Sequence, residues 1–212
     1  MTNDRLGILG GSFDPVHYGH LLLAEACREQ CELDRVLLIP AAVSPHKQGQ
    51  QRTPSKDRVQ MLRLAIGGHE RFSVSTIEID RGGVSYTVET LAALAEKHPD
   101  SVFFFLMGAD SLNELPTWRE PKRLCALATP VVVRRAEAPE PDFGALSEIV
   151  DDERLGEIRR HQVEMPIIEL SSTDIRERVS AGKSIRYQTP RAVEKYIETH
   201  GLYRTKVEEA EV

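Results

Sequence analysis

The segment VFFFLM, Val102–Met107, is apolar at six consecutive positions and ends at Gly108. A strand with one wet face alternates polar and apolar residues. A strand that is apolar throughout must be covered on both faces. This run therefore asks for a sheet sandwiched between helices, and the flanking sequence supplies the layers. Strand-like runs at Leu6–Leu9, Arg35–Ile39, Phe72–Ile79, Val131–Val133 and Ile167–Leu170 alternate with helical patterns. The helical patterns fall at Leu21–Gln30, Asp57–Ile66, Thr87–His98, Pro121–Leu127, Glu148–Arg160, Thr173–Ala181 and Pro190–His200. Gly182 and Gly201 stand where the last two helices should stop. The β-α-β-α rhythm predicts an α/β fold, a doubly wound, Rossmann-like parallel sheet with helices on both faces. No repeat or linker divides the chain. Residues 1–204 are expected as one domain, followed by an acidic, disordered tail at 205–212. The proline-rich stretch Ala136–Phe143 is expected as a surface loop.

Charge narrows the partners. With 27 Lys+Arg against 33 Asp+Glu, the net charge is −6, which argues against coating nucleic acid or an anionic membrane. It does not argue against small anions, which a few local donors can hold. No apolar run approaches the roughly 18 residues of a membrane span, and the first strand begins too early for a signal peptide. The three cysteines, Cys27, Cys31 and Cys125, are an odd, low number that suits a reducing cytoplasm. Cys27 and Cys31 share a helix face and read as packed thiols.

The chemistry concentrates in GGSFDPVHYGH, Gly10–His20, between the first strand and the first helix. Paired glycines allow a sharp turn and a close ligand approach, and the helix start presents bare amides to an anion. His17 and His20 lie three apart and can face one point, with Gly19 leaving room between them. An imidazole can donate to a phosphate oxygen. The stretch matches neither the P-loop pattern nor G-x-G-x-x-G, and it lacks partners at zinc-type spacing. For a single histidine, capping and packing is the plainer reading. Two histidines framing a glycine after a double-glycine turn favour a polyphosphate site.

A second strand-to-helix turn lies in ELSSTDIRERVSAG, Glu169–Gly182. Ser171, Ser172 and Thr173 offer hydroxyls and amides at a helix start, and Arg176 lies one turn on. Taken alone this is ordinary capping, with Ser171 and Asp174 as a loose box. Paired with the first turn, it suggests a triphosphate gripped from two sides.

Together these motifs resemble the nucleotidyltransferases with an H-x-G-H and an S-x-T-x-x-R-type motif. IPAAVSPHK, SYTVETL, FLMGADSL, PTWRE, VVVRR and AVEKYIETHGLYR extend the resemblance in order to about residue 204. They make the chain similar to bacterial nicotinate-nucleotide adenylyltransferases. The resemblance implies a nucleotidyltransferase-type fold and a cytoplasmic enzyme of NAD biosynthesis. Its partners would be ATP and nicotinate mononucleotide, its products deamido-NAD and pyrophosphate, and its cofactor Mg²⁺ bound mainly through ATP phosphates rather than protein ligands. It implies catalytic roles for His17, His20 and Arg176. ATP would meet Gly10, Ser12, Phe13, Gly108, Asp110, Ser172 and Thr173. The mononucleotide would meet Thr87, Trp118, Arg119, His46, Lys47 and Arg134, with Arg135 beside the last.

Two departures from the family pattern bear on the acceptor. The stretch after Ile39-Pro40 reads Ala41-Ala42-Val43-Ser44-Pro45-His46, without the usual asparagine and paired prolines. Arg119 is an atypical neighbour for the tryptophan and suits preference for the acid over the amide. Other readings keep the fold: nicotinamide mononucleotide or, more remotely, phosphopantetheine as acceptor, or a non-catalytic nucleotide-binding regulator. The sequence leaves open the oligomeric state, a homo-oligomer included.

Overall fold

The computed structural model describes residues 4–45, 52–135 and 140–204. Six parallel strands form one sheet: β1 (Asp4–Gly11), β2 (Arg35–Pro40), β3 (Phe72–Val74), β4 (Ser101–Gly108), β5 (Thr129–Arg135) and β6 (Gln162–Met165). They pair in the order β3-β2-β1-β4-β5-β6. The chain winds outward from β1 to β3, crosses back, and winds outward the other way from β4 to β6. The reversal falls between β1 and β4. Loops leaving those strands diverge and open a crevice at the strands' C-terminal ends.

Alternate residues of each strand enter opposite cores. Leu6 and Ile8 of β1, Leu37 and Ile39 of β2, and Phe103, Phe105 and Met107 of β4 pack on one side. Leu9, Val36, Leu38, Phe104 and Leu106 pack on the other. The first core is covered by α3 (Ile77–Arg81), α4 (Thr87–Lys97), α6 (Pro121–Leu127) and α7 (Asp152–Arg160). The second is covered by α1 (Tyr18–Gln30), α2 (Ser55–Ala65), α8 (Ser172–Ser180) and α9 (Arg191–Thr199). Short α5 (Ala109–Glu114) leaves β4 directly. Phe103–Met107 are each at most 6 % exposed, as a strand between two helical layers requires, and only Val102 at its start reaches solvent. Gly182 and Gly201 stop α8 and α9 in left-handed backbone, with φ of 68° and 60°.

Three expectations need correction. The alternation of Phe72–Ile79 continues past the strand, which ends at Val74. Ser75 N–H donates to the Leu38 carbonyl, and the chain then turns into α3, whose first turn is braced by Thr76 Oγ1 donating to Asp80. Ile167–Leu170 is not a strand. The edge strand lies one segment earlier, and Pro166, without an N–H, stops it. Helix α7 begins four residues later than its apolar pattern, where Asp151 accepts from Arg154 N–H at 2.8 Å. The tail at 205–212 and most of the stretch at 136–143 that was expected as a loop, residues 136–139, lie outside the described residues.

The free edge of β6 is covered by a side chain. Gln30 Nε2 donates to the Glu164 carbonyl at 2.9 Å, and Gln30 Oε1 accepts from Glu164 N–H at 3.1 Å. The amide occupies the place of a neighbouring strand residue and blunts the edge. Cys27, Cys31 and Cys125 are buried free thiols. Burial pushes all three thiols up, Cys125 to about 11, so they serve packing. Among the described residues no helix is long and apolar enough to cross a membrane.

Gly7 is the tightest point of β1. A Cβ there would lie 2.8 Å from Leu33 Cδ1 and 3.2 Å from Val36 Cγ2, both in the second core. Gly7→Val is expected to destabilise the fold by about 1–3 kcal/mol through overpacking, read as a lower urea midpoint with unchanged slope.

Candidate active site

β1 ends at Gly10-Gly11, and the chain turns through Ser12–Val16 into α1. The backbone of this turn is gripped by side chains from far along the chain. Three successive carbonyls accept hydrogen bonds: Asp14 from Arg176 Nη1 at 2.8 Å, Pro15 from Ser172 Oγ at 2.8 Å, and Val16 from Thr189 Oγ1 at 2.7 Å. Tyr18 N–H donates to the Gln188 carbonyl at 3.1 Å. The two strand-to-helix turns singled out in the sequence therefore meet. Arg176 Nη2 also donates to Thr173 Oγ1 at 3.2 Å, which holds the guanidinium between the turns. Capping of α8 falls to Ser171, which accepts from Asp174 N–H at 3.0 Å.

His17 is the N-cap of α1, and His20 lies in its first turn. Their rings stack with centroids 3.7 Å apart, and Phe13 meets His20 edge-on at 5.0 Å. The backbone N–H of His17 donates to His20 Nδ1 at 3.3 Å. An amide N–H only donates, so Nδ1 is the acceptor and the proton of His20 sits on Nε2. In this arrangement His20 presents its Nε2–H outward as a donor. His17 is 6 % exposed, and burial lowers its pKa from 6.5 to about 4, so it is neutral near pH 7. Its buried Nδ1 has no hydrogen-bond partner among the described residues, an orphan of the kind that a bound polar group satisfies. Gly19 explains the spacing. A Cβ there would sit 3.0 Å from both Cε1 and Nδ1 of His17, so any side chain displaces the ring.

Two clefts flank the turn. The first, about 370 Å³, is lined by His17, His20, Gly108, Asp110 and Arg134, with an apolar wall of Leu23, Val133, Ile168 and Leu170. The second, about 240 Å³, runs from Gly10, Gly11 and Ser12 to Thr87, Trp118 and Arg119. Thr87 opens α4, and Trp118 stands edge-on to Phe105, with ring centroids 5.9 Å apart. The Arg119 guanidinium lies 4.6 Å above the Tyr86 ring and pairs with Glu89 at 3.0 Å. The Ala41–Pro45 segment closes one side. Ala42 N–H donates to Ser85 Oγ at 2.9 Å and Ser85 N–H donates to the Val43 carbonyl at 2.8 Å. Backbone and serine therefore hold this segment without the asparagine that the family pattern carries.

The site residues inferred from the sequence thus divide in an unexpected way. Gly10 and Ser12, expected along the phosphates of both ATP and the mononucleotide, line the tryptophan cleft. Arg134, grouped with the mononucleotide, lines the histidine cleft and is paired with Glu164 at 2.6 Å. The Phe13 side chain is 1 % exposed and packs against His20. Asp110 is exposed in the first turn of α5, whose N-cap is Gly108. His46 and Lys47 lie outside the described residues, as does the Arg135 side chain. Sequence reasoning missed Glu78, buried on the wall of the second cleft with Thr90 Oγ1 donating to it at 2.8 Å. The strand assigned to Phe72–Ile79 hid it. Ile167–Leu170 was expected as a strand, and its Ile168 and Leu170 instead line the wall of the first cleft.

The profile of the cytidylyltransferase-like family matches residues 8–178, and the chain belongs to that family. More particularly, it is similar to proteins named "Probable nicotinate-nucleotide adenylyltransferase". It is 45% identical over 201 residues to the one from Thermomicrobium roseum, covering 95% of this chain and 92% of the relative. It is 48% identical over 206 residues to the one from Roseiflexus sp. strain RS-1, covering 96% and 100%. The fold matches the solved Plasmodium falciparum nicotinic acid mononucleotide adenylyltransferase complexed with NaAD. That match has a TM-score of 0.73 at 18% identity, over 94% of this chain and 97% of the other.

Two outcomes follow from the histidine geometry. Gly19→Ala is expected to lower turnover at least about 10-fold by tilting the His17 ring, with little change in melting temperature, which kinetics and thermal denaturation would read together. The His17 pKa is lower folded than unfolded. Between pH 6.5 and about 4 the unfolded chain binds a proton that the folded chain does not. Its contribution to stability is therefore present above pH 6.5 and is lost as pH falls toward 4, up to about 3 kcal/mol. Denaturant midpoints from pH 7 to 4.5 should show this slope, and His17→Asn should flatten it.

Proposed function

We propose that this chain transfers the adenylyl group of ATP to nicotinate mononucleotide, giving deamido-NAD and pyrophosphate, as an enzyme of NAD biosynthesis working in the cytoplasm. The observation that carries this reading is the pair of clefts flanking one turn, a phosphate-type histidine pair on one side and a tryptophan-walled slot on the other. ATP occupies the histidine cleft, its adenine against the apolar wall of Ile168 and Leu170, with Asp110 accepting from ribose hydroxyls. The mononucleotide occupies the second cleft, its pyridine ring on Trp118 and its carboxylate toward Thr87 and Arg119. Its 5′-phosphate then meets the triphosphate near Ser12 and the Gly10-Gly11 backbone.

No protein nucleophile is needed. An oxygen of the mononucleotide phosphate attacks the α-phosphorus in line, the bond to the bridging oxygen of the β-phosphate breaks, and pyrophosphate leaves. Catalysis is alignment and charge stabilisation. His20 Nε2–H donates to the α-phosphate, His17 supports the α- and β-phosphates as a neutral donor, and Ser172, Thr173 and Arg176 steady the departing pyrophosphate. ATP enters as its Mg²⁺ complex. Among the described residues no group of three or more His, Cys, Asp or Glu gathers to hold a metal. Mg²⁺ would therefore be carried on the ATP phosphate oxygens, whose negative charge it would offset beside the His17–His20 pair and Arg176.

The test is pyrophosphate release with Mg·ATP and either nicotinate or nicotinamide mononucleotide as acceptor. Release well above background with the acid, and much less with the amide, is the expected result. Tight ATP binding without release from either acceptor would leave a nucleotide-binding regulator instead. His20→Ala is expected to lower turnover by about 10²–10³-fold while changing ATP affinity far less. Arg119→Ala is expected to narrow the preference for the acid, and an unchanged acid-to-amide ratio would remove Arg119 from acceptor recognition.

A further inference from the structure

Beneath the Ser12–Pro15 turn lies a buried polar cluster that lines neither cleft. Arg58, in the first turn of α2, is the largest fully buried side chain, at 1 % exposure. Its Nη1 donates to the Ser12 carbonyl at 2.8 Å, Nε to the Thr53 carbonyl at 3.2 Å, and Nη2 to Ser55 Oγ at 3.1 Å. Asp14 is 5 % exposed. Its Oδ1 accepts from Tyr203 OH at 2.7 Å and its Oδ2 from Thr53 N–H at 3.3 Å.

Burying a guanidinium and a carboxylate is costly, and apolar side chains of similar volume would fill the same space more cheaply. The cluster sits where the backbone most needs holding. Phe13, between the two gripped residues, has φ of 47°, the left-handed region that non-glycine residues rarely adopt. Its carbonyl neighbours are fixed from both directions, Ser12 by Arg58 and Asp14 by Arg176. The Phe13 ring meets the edge of His20, and Ser12 lines the second cleft.

We propose that Arg58 and Tyr203 are positioning residues of the reaction. Arg58 holds Ser12 and Tyr203 holds Asp14, and together they keep Phe13 in its strained conformation. That conformation sets both the His20 ring in the first cleft and Ser12 in the second. Thr53, whose N–H and carbonyl both enter the cluster, ties the start of α2 to the same point. The assignment rests on the adenylyl-transfer reading above.

Tyr203→Phe removes one hydroxyl and keeps the ring, so it is the primary variant, with Arg58→Met and Arg58→Lys beside it. The melting temperature of each protein is recorded, and turnover and KM for ATP are measured well below the lowest of them. The His20 ring is followed by long-range ¹H–¹⁵N correlation in the same proteins. Tyr203→Phe is expected to lower kcat about 10-fold or more with little change in KM, and Arg58→Lys to recover part of what Arg58→Met loses. His20 should show the Nε2–H tautomer in the wild type and a tautomer mixture in Tyr203→Phe. A lower melting temperature with kcat and His20 signals like those of the wild type would overturn the proposal. Should the wild type itself release no pyrophosphate, the adenylyl-transfer reading fails, and the His20 spectra alone still decide whether the cluster sets the ring.

Discussion

Three consecutive carbonyls, those of Asp14, Pro15 and Val16, are bonded by side chains from beyond residue 170. A tight turn leaves backbone groups that no helix or sheet ladder can satisfy, and Pro15 contributes no N–H at all. Were those acceptors left buried and unpaired, each would cost about 1–3 kcal/mol. The second motif satisfies them and in doing so comes to rest against the first. The meeting of two segments about 160 residues apart in sequence therefore needs no ligand to bring it about. It is a consequence of backbone hydrogen bonding, and the clefts are arranged around it.

The electrostatics of the histidine pair follow from the same local geometry. Placing His17 at the N-cap buries it, and burial favours the uncharged ring. Its backbone N–H then selects which nitrogen of His20 carries a proton. An imidazole pair beside a helix N-terminus, with the buried member uncharged near pH 7, suits phosphate oxygens without the cost of two stacked cations. The opposite cleft has another character, with a tryptophan, a threonine and an arginine already engaged by Glu89.

What was legible in the sequence depended on how local its cause was. The apolar run ending at Met107 identified the central strand because burial on both faces leaves no other pattern. The glycine stops of α8 and α9 were legible because left-handed backbone nearly demands that residue. H-x-G-H stood out in the sequence, and the structure supplies the reason for its glycine. The turn of Ser75–Ile79 into a helix was not, because FSVSTIEID alternates faithfully while a hydrogen bond to β2 and a Thr76–Asp80 brace decide the outcome. Apolar residues at Ile167–Leu170 signal burial equally well in a strand or a cleft wall. Arg58 gave no signal at all: a lone arginine in an amphipathic helix reads as solvated, and only the fold shows the carbonyl it was placed to meet.

The strand order has a consequence for how such a molecule changes over generations. The walls of the two clefts come mostly from separate stretches, one from residues 41–45, 78–87 and 117–124 and the other from residues 17–23, 108–110, 133–134 and 165–170, with the crossover from β4 to β5 feeding both. They also adjoin at the backbone between the first strand and its helix and along β4, where Phe105 lines one and Gly108 the other. Mutations away from those shared points reshape one chamber and leave the other chamber's masonry untouched, so a lineage can alter what fits on one side while the other side keeps its shape.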